Sequence, residues 1–178
     1  MRMEASDLDL ARAAAEGDGA AFAALLDRHY DRLFGLCLRL TGARAEAEDL
    51  VQDVCLALPG KLRGFRGEAR VTTWLWRVAV NAAHDRRRRG TTRARAAEGW
   101  GDWEAGRQAA LAEGRERAAW LLWALGRLPE DLRDTLALVL DDATHAEAGA
   151  ALGVSEGTVS WRVSEAKRRL RAMREEEA

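Results

Sequence analysis

The sequence predicts an all-α protein: two small helical domains joined by a flexible linker, the C-terminal one a helix-turn-helix. Three observations lead there. The 178 residues hold only two prolines, are rich in Ala, Leu, Arg and Glu, and lack alternating β-branched segments. Apolar residues recur at three- and four-residue intervals in one segment after another. That periodicity fails between residues 90 and 113, where four glycines fall, and resumes afterwards. The boundaries expected are a first domain over residues 1–90, a linker over 91–114 and a second domain over 115–178.

Residues 144–171 define the second domain. Thr144 with Glu147 three residues on has capping-box spacing, so a short helix should start there. Gly153 can take the left-handed conformation that ends it. Ser155 can cap the next helix, on which Val159, Val163, Ala166 and Leu170 form one apolar stripe. Thr158, Ser160, Arg162, Lys167, Arg168, Arg169 and Arg171 lie off that stripe, and residues 155–174 carry six basic side chains against two acidic ones. In a helix-turn-helix the N-terminal turns of the second helix approach base edges, here Glu156, Gly157, Thr158 and Ser160, with Ser155 as the cap. Cations farther along, Arg162, Lys167 and Arg168, can hold phosphates. Trp161 should either pack on a neighbouring helix or sit over a sugar-phosphate wall.

Composition excludes other classes. Apolar residues make up 48% of the chain, enough for real cores, yet no run approaches the ~20 residues that span a bilayer. The N-terminus is acidic where a secretory signal is basic and then apolar, so a cytoplasmic protein without membrane insertion is expected. Cys37 and Cys55 sit among apolar neighbours at helical spacing and read as buried free thiols. The net charge of −1 hides an asymmetry: residues 1–60 hold eleven acidic and six basic side chains, residues 61–95 two acidic and eleven basic ones. One part can meet a protein and the other a polyanion.

In chain order, residues 8–16 read as a first helix, broken by Gly17-Asp18-Gly19. A longer core helix follows, from Phe22 through Leu25, Leu26, His29, Tyr30, Leu33, Phe34, Cys37 and Leu38 to Leu40, ending near Thr41-Gly42. His29 is expected to be a satisfied boundary histidine, since no metal-spaced ligands accompany it. The next helix, from about Ala45, buries Leu50, Val51, Val54 and Leu58, and Pro59-Gly60 should bend or stop it. Its other side presents Glu46, Glu48, Asp49, Gln52 and Asp53. After a loop around Phe65, Arg66 and Arg70, Thr72 or Thr73 should cap a helix that buries Trp74, Leu75, Val78 and Ala82, points Trp76, Arg77, Asn81 and Asp85 elsewhere, and ends in four arginines, 86–89. Aromatic, amide and basic side chains on one surface suit a single nucleic-acid strand. Trp100 and Trp103 stand in the linker. A last pair of helices is expected from Arg115, with Pro129 in the first turn of the second.

These residues together resemble an extracytoplasmic-function RNA polymerase sigma factor of the sigma-70 family. Residues 47–58, AEDLVQDVCLAL, resemble the acidic helix of region 2 that holds the clamp helices of the polymerase β′ subunit, which implies polymerase contacts at Glu48, Asp49, Gln52 and Asp53. Residues 72–89 resemble the adjoining segment that melts and reads the minus-ten element. That implies strand contacts at Phe65, Arg66, Arg70, Trp76, Arg77, Asn81, Asp85, Arg86, Arg88 and Arg89. Residues 128–138 with 152–171 resemble region 4, which reads the minus-thirty-five element and meets the β flap. The resemblance also implies promoter DNA and an anti-sigma factor as partners, with no cofactor, metal or small-molecule substrate. No regulatory domain follows Ala178, so regulation should lie in another chain. The chain departs from the family pattern at Ala143 and Ala148, where larger apolar residues are usual, and at Ser160-Trp161. Loose packing of the second domain or an unusual promoter element would follow.

Two other readings use the same residues. A helix-turn-helix regulator acting without polymerase would need neither the acidic helix nor the melting-type segment. A sigma mimic that titrates an anti-sigma would not need the arginines at 86–89. No nucleophile-base pair, metal cluster or phosphate-cradling loop points to an enzyme.

Overall fold

The structure, a computed structural model, describes residues 5–90 and 109–176, and every regular element among the described residues is an α-helix. The first four helices, α1 (Asp7–Ala15), α2 (Gly19–Thr41), α3 (Arg44–Leu62) and α4 (Val71–Gly90), build one module; α5 (Ala109–Arg127), α6 (Glu130–Val139), α7 (His145–Leu152) and α8 (Glu156–Glu176) build the second. The expected linker with Trp100 and Trp103 lies outside the described residues, except that its last six positions already belong to α5. That helix opens at Ala109 instead of Arg115, as the helix formers of its first turns favour.

Local chemistry sets the boundaries of the first module. Ser6 accepts a bond from the Asp9 amide at 3.2 Å while the Asp9 carboxylate accepts from the Ser6 amide at 3.3 Å, a capping box that starts α1. Asp18 accepts from the amides of Ala20 and Ala21 and starts α2. Gly42 ends α2 at φ 77°, where a Cβ would also lie 3.4 Å from the Gly126 Cα of α5. Leu36 and Leu40 of α2 and Leu50 and Leu62 of α3 are each at most 1% exposed, and each such burial is worth about 2 kcal/mol. His29 is satisfied as expected, its Nε2 2.8 Å from Asp7. Both cysteines are free thiols; Cys37 is fully buried, which pushes its thiol up to about 12, and Cys55 is half-buried.

Two expected boundaries move. Pro59 neither stops nor ends α3, which runs on to Leu62 because Leu58 and Leu62, one turn apart on either side of the proline, are both anchored in the core. Thr72 and Thr73 do not cap α4, which already begins at Val71; Val71 is 5% exposed, and its burial draws the first turn forward.

The helix-turn-helix forms as expected. Thr144 and Glu147 make the capping box, Gly153 closes α7 at φ 69°, and Ser155 accepts a bond from the Thr158 amide at 3.1 Å. Pro129 stands one place before α6, at the N-cap. Glycine is required at Gly149, where a Cβ would lie 2.7 Å from the Val154 carbonyl oxygen across the turn.

The two modules share a core. Ala137, Leu138, Ala143, Ala148, Ala151, Val159 and Val163 join the cluster built by α1 to α4. Ala148 is fully buried, so the small residues of α7 serve its close approach to α4 and leave no loose packing at that position. Among the described residues no helix is long and apolar enough to cross a membrane.

Candidate nucleic-acid interface

Three surfaces carry the expected site residues. The first is the polar side of α3. Glu48, Asp49, Gln52 and Asp53 are exposed there, opposite buried Leu50, Val51 and Val54. Glu48 pairs with Arg44 one turn away at 2.8 Å. Asp49 and Asp53 are bridged by one guanidinium: Arg86 of α4 donates to each at 2.9 Å. Partial burial opposes the charge on Arg86, but the bonds to Asp53 and Asp49 prevail and raise its pKa. The acidic helix and the arginine-rich end of α4, expected to serve different partners, are therefore tied together.

The second surface is the loop before α4 and α4 itself. Phe65 is half-buried, its ring 5.2 Å from that of Trp74. Arg66, Arg77 and Asn81 are exposed. Arg70 is 78% exposed and reaches Glu147 of α7 at 3.2 Å, a weak pair in water. Asp85 accepts from Arg88, which holds its carboxyl below the usual range, and its carbonyl accepts from Arg89 at 3.2 Å.

Trp76 departs from expectation. It does not stand off the buried stripe: it is 4% exposed, and its indole N–H donates to Asp141 at 2.7 Å. The reason is that the first half of α4 is covered on two sides. Trp74, Leu75 and Val78 face their own module, and a second stripe, Thr73, Trp76, Val80 and Ala83, is buried as well. Asp141, just after α6, accepts from Arg32 at 2.7 Å and Arg39 at 2.5 Å in addition to Trp76, so three donors neutralise a carboxylate only 8% exposed. Asp134 of α6, 1% exposed, accepts from Arg87 at 2.7 and 3.1 Å and lies 2.7 Å from the His84 Nε2. Burial opposes the charge on Arg87, yet the bonds to Asp134 prevail and raise its pKa.

None of Arg32, Arg39, His84, Asp134 and Asp141 was singled out by sequence reasoning, and Arg87 entered only as one of the four arginines 86–89. Two signals were there to be read. Residues 73, 76, 80 and 83 repeat at helical spacing beside the first stripe of α4, and Asp134 lies two residues after Leu132 and two before Leu136, next to the apolar run Leu136-Ala137-Leu138, where a buried carboxylate demands partners.

The third surface is α8. Val159 and Ala166 are fully buried and Val163 is 5% exposed, while Glu156, Gly157, Lys167 and Arg168 are exposed and Ser155 caps. Thr158 and Ser160 are half-buried, the Ser160 hydroxyl 2.9 Å from the His145 Nδ1. Arg162 leans back to Asp131 of α6 at 3.4 Å with its side chain 19% exposed. Arg168 is 70% exposed and pairs with Glu165 at 2.7 Å; this bond and that of Arg169 bring the Glu165 carboxyl down to about 2. Of the two placements open for Trp161, packing on a neighbouring helix is not adopted: the ring is 62% exposed.

An acidic helix tied to a basic one, followed by a helix-turn-helix, is thus the order of the two modules. Residues 25–93 match the family described as Sigma-70 region 2, and residues 124–172 match Sigma-70, region 4. The ECF RNA polymerase sigma factor SigM of Mycobacterium tuberculosis is 37% identical over 171 residues, covering 95% of this chain and 85% of the relative. SigW of Bacillus subtilis, another ECF RNA polymerase sigma factor, is 27% identical over 88% of this chain and 90% of its own length. Among solved structures, CnrH in complex with the cytosolic domain of CnrY superposes with a TM-score of 0.73 at 25% identity, covering 97% of this chain and 99% of that one. The chain belongs to the extracytoplasmic-function sigma factors of the sigma-70 family. Members of this family are transcription initiation factors that act with RNA polymerase, so neither a stand-alone regulator nor a titrating mimic is the favoured reading.

Proposed function

We propose that this sigma factor holds core RNA polymerase through Asp49, Gln52 and Asp53, with Glu48 at the edge, and works on promoter DNA through α4 and α8. The observation that carries the reading is the Arg86 bridge: both carboxylates stay exposed, yet one guanidinium of α4 donates to each of them at 2.9 Å and so holds them in place. A face preorganised in this way loses little side-chain freedom when a cationic helix of the polymerase arrives. The exposed edge of α4 and its loop, Arg66, Arg70, Arg77, Asn81, Asp85, Arg88 and Arg89, would handle the melted minus-ten strand beside Phe65. Trp76 could join them only by exchanging Asp141 for a base. In α8, Ser155 to Ser160 would lie nearest the minus-thirty-five bases and Lys167 and Arg168 would hold phosphates, with Arg162 positioned from Asp131.

The protein itself does no covalent chemistry in this scheme; the polymerase does, in the cytoplasm. An anti-sigma factor is the expected regulator, in keeping with the complex in which the CnrH relative was solved. Co-purification with core polymerase, followed by sequencing of the transcripts the pair initiates, tests the reading. A defined set of start sites sharing two upstream elements is expected; failure to bind core enzyme would overturn it.

A further inference from the structure

Trp161 is the large apolar side chain of α8 that the fold does not use. At 100° per residue it lies roughly opposite the buried stripe of Val159, Val163 and Ala166, and it is 62% exposed. Its neighbours on that face are Gly157 a turn before it, where even a Cβ would meet nothing closer than the Ser155 hydroxyl at 3.8 Å, then Ser164 and Arg168 beyond, and Glu165 one turn on, whose carboxylate is taken up by Arg168 and Arg169 at 2.7 Å each. The indole therefore stands proud of the helix at the centre of the face expected to enter the major groove, with Lys167 and Arg168 exposed farther along.

Groove chemistry narrows what such a ring can meet. Stacked bases present only their edges, so an indole cannot stack on them, and a phosphate can take its single N–H but offers nothing for the apolar surface of the ring. The one apolar group on the floor of the major groove is the C5-methyl of thymine, beside the O4 acceptor that an indole N–H can reach. We propose that Trp161 is a specificity-determining residue that reads a thymine methyl group in the minus-thirty-five element. The assignment rests on the placement of α8 proposed above.

The test uses holoenzyme assembled from the full chain and core polymerase, on promoter duplexes in which each thymine of the minus-thirty-five element is replaced singly by deoxyuridine, which removes only the methyl. At one or two positions the wild-type holoenzyme should lose about three- to fivefold in affinity, the factor that burying one methyl group is worth. Trp161→Ala should bind the thymine duplex at least as weakly as wild type binds the uracil one, and should not distinguish the two; Trp161→Phe should retain part of the discrimination. Because the side chain is exposed, the fold should survive both changes. A wild-type holoenzyme that depends on the element but is indifferent to uracil everywhere overturns the Trp161 assignment alone, as does a Trp161→Ala variant that still discriminates. Binding that does not depend on the element at all overturns the placement of α8 with it.

Discussion

Helices α4 and α8 are the two helices proposed to meet promoter DNA, and the fold presents them differently. Helix α8 buries one stripe and leaves the opposite face, from Gly157 through Trp161 to Arg168, to solvent. Helix α4 is covered on two sides in its first half, and the second cover comes from the other module: Asp141 takes the Trp76 N–H, and Asp134 takes Arg87 and His84. Arginine and indole donors that could meet nucleic acid are here satisfied by buried carboxylates. An expected DNA contact thus faces solvent only where the other module does not cover it, and on α4 that is the outward edge with Arg77 and Asn81, and with Asp85, whose carboxylate is engaged by Arg88 of the same helix.

The largest effect should come from the acidic face of α3, which α4 meets through Arg86. Reversing Asp49 and Asp53 to Lys should weaken binding to core polymerase by about a hundredfold or more, because two attractive contacts become repulsive and Arg86 loses both partners. Circular dichroism should be unchanged, since both side chains are exposed, and retained affinity at physiological salt would separate the acidic face from polymerase binding.

The junction over α4 can be broken at one residue. Asp141→Ala strands the Trp76 indole and two guanidiniums and should cost about 2 kcal/mol in urea unfolding. That is less than the 3–5 kcal/mol of a fully buried pair, because the Arg32 side chain is 40% exposed and can rehydrate. Glu165→Gln on α8, whose partners Arg168 and Arg169 are 70% and 42% exposed and lie on the same helix, should shift the unfolding midpoint far less. Equal effects of the two substitutions would erase the contrast between the helices.

The turn that sets α8 can be strained next. Gly149→Ala places a methyl 2.7 Å from a backbone oxygen, so the turn must shift, at roughly 1–3 kcal/mol, with weaker promoter binding alongside. A smaller, pH-dependent effect sits at the start of α7. The Glu147 carboxyl is held below its ordinary 4.5, first by the Thr144 amide and then by the Thr144 hydroxyl. A depressed acid stabilises the fold above its unfolded pKa and loses that contribution as pH falls through the folded one. Wild type should therefore lose about 1 kcal/mol more than Glu147→Gln between pH 6 and pH 3. Parallel acid curves for the two would show that the capping box contributes nothing.

Much of this was legible in the sequence wherever the cause is local. The boxes at Thr144 and Glu147, the left-handed Gly153 and the stripe from Val159 to Ala166 need only neighbouring residues, and the fold realises each. The course of α3 through Pro59 was not legible, because Leu58 and Leu62 hold the helix from outside it. The burial of Trp76 was missed for the same reason: its partner lies 65 residues away, and a single-face reading of α4 took Trp74, Leu75, Val78 and Ala82 although Val80 and Ala83 continue a second face. The acidic and basic runs were visible as charge, but the Arg86 bridge that joins them is a tertiary fact.

The outward edge of α4 is where the proposed function is most exposed to refutation. Permanganate reactivity of promoter thymines, measured for wild-type and Asn81→Ala holoenzyme alongside retention of the closed duplex, reads that edge directly. Asn81 is exposed and touches no part of the junction, so its loss should leave duplex binding intact while reactivity of the minus-ten thymines falls by about tenfold, the worth of a hydrogen bond to an extruded base. Normal melting by Asn81→Ala, or loss of duplex binding in step with melting, would contradict the assignment of this edge to the melted strand.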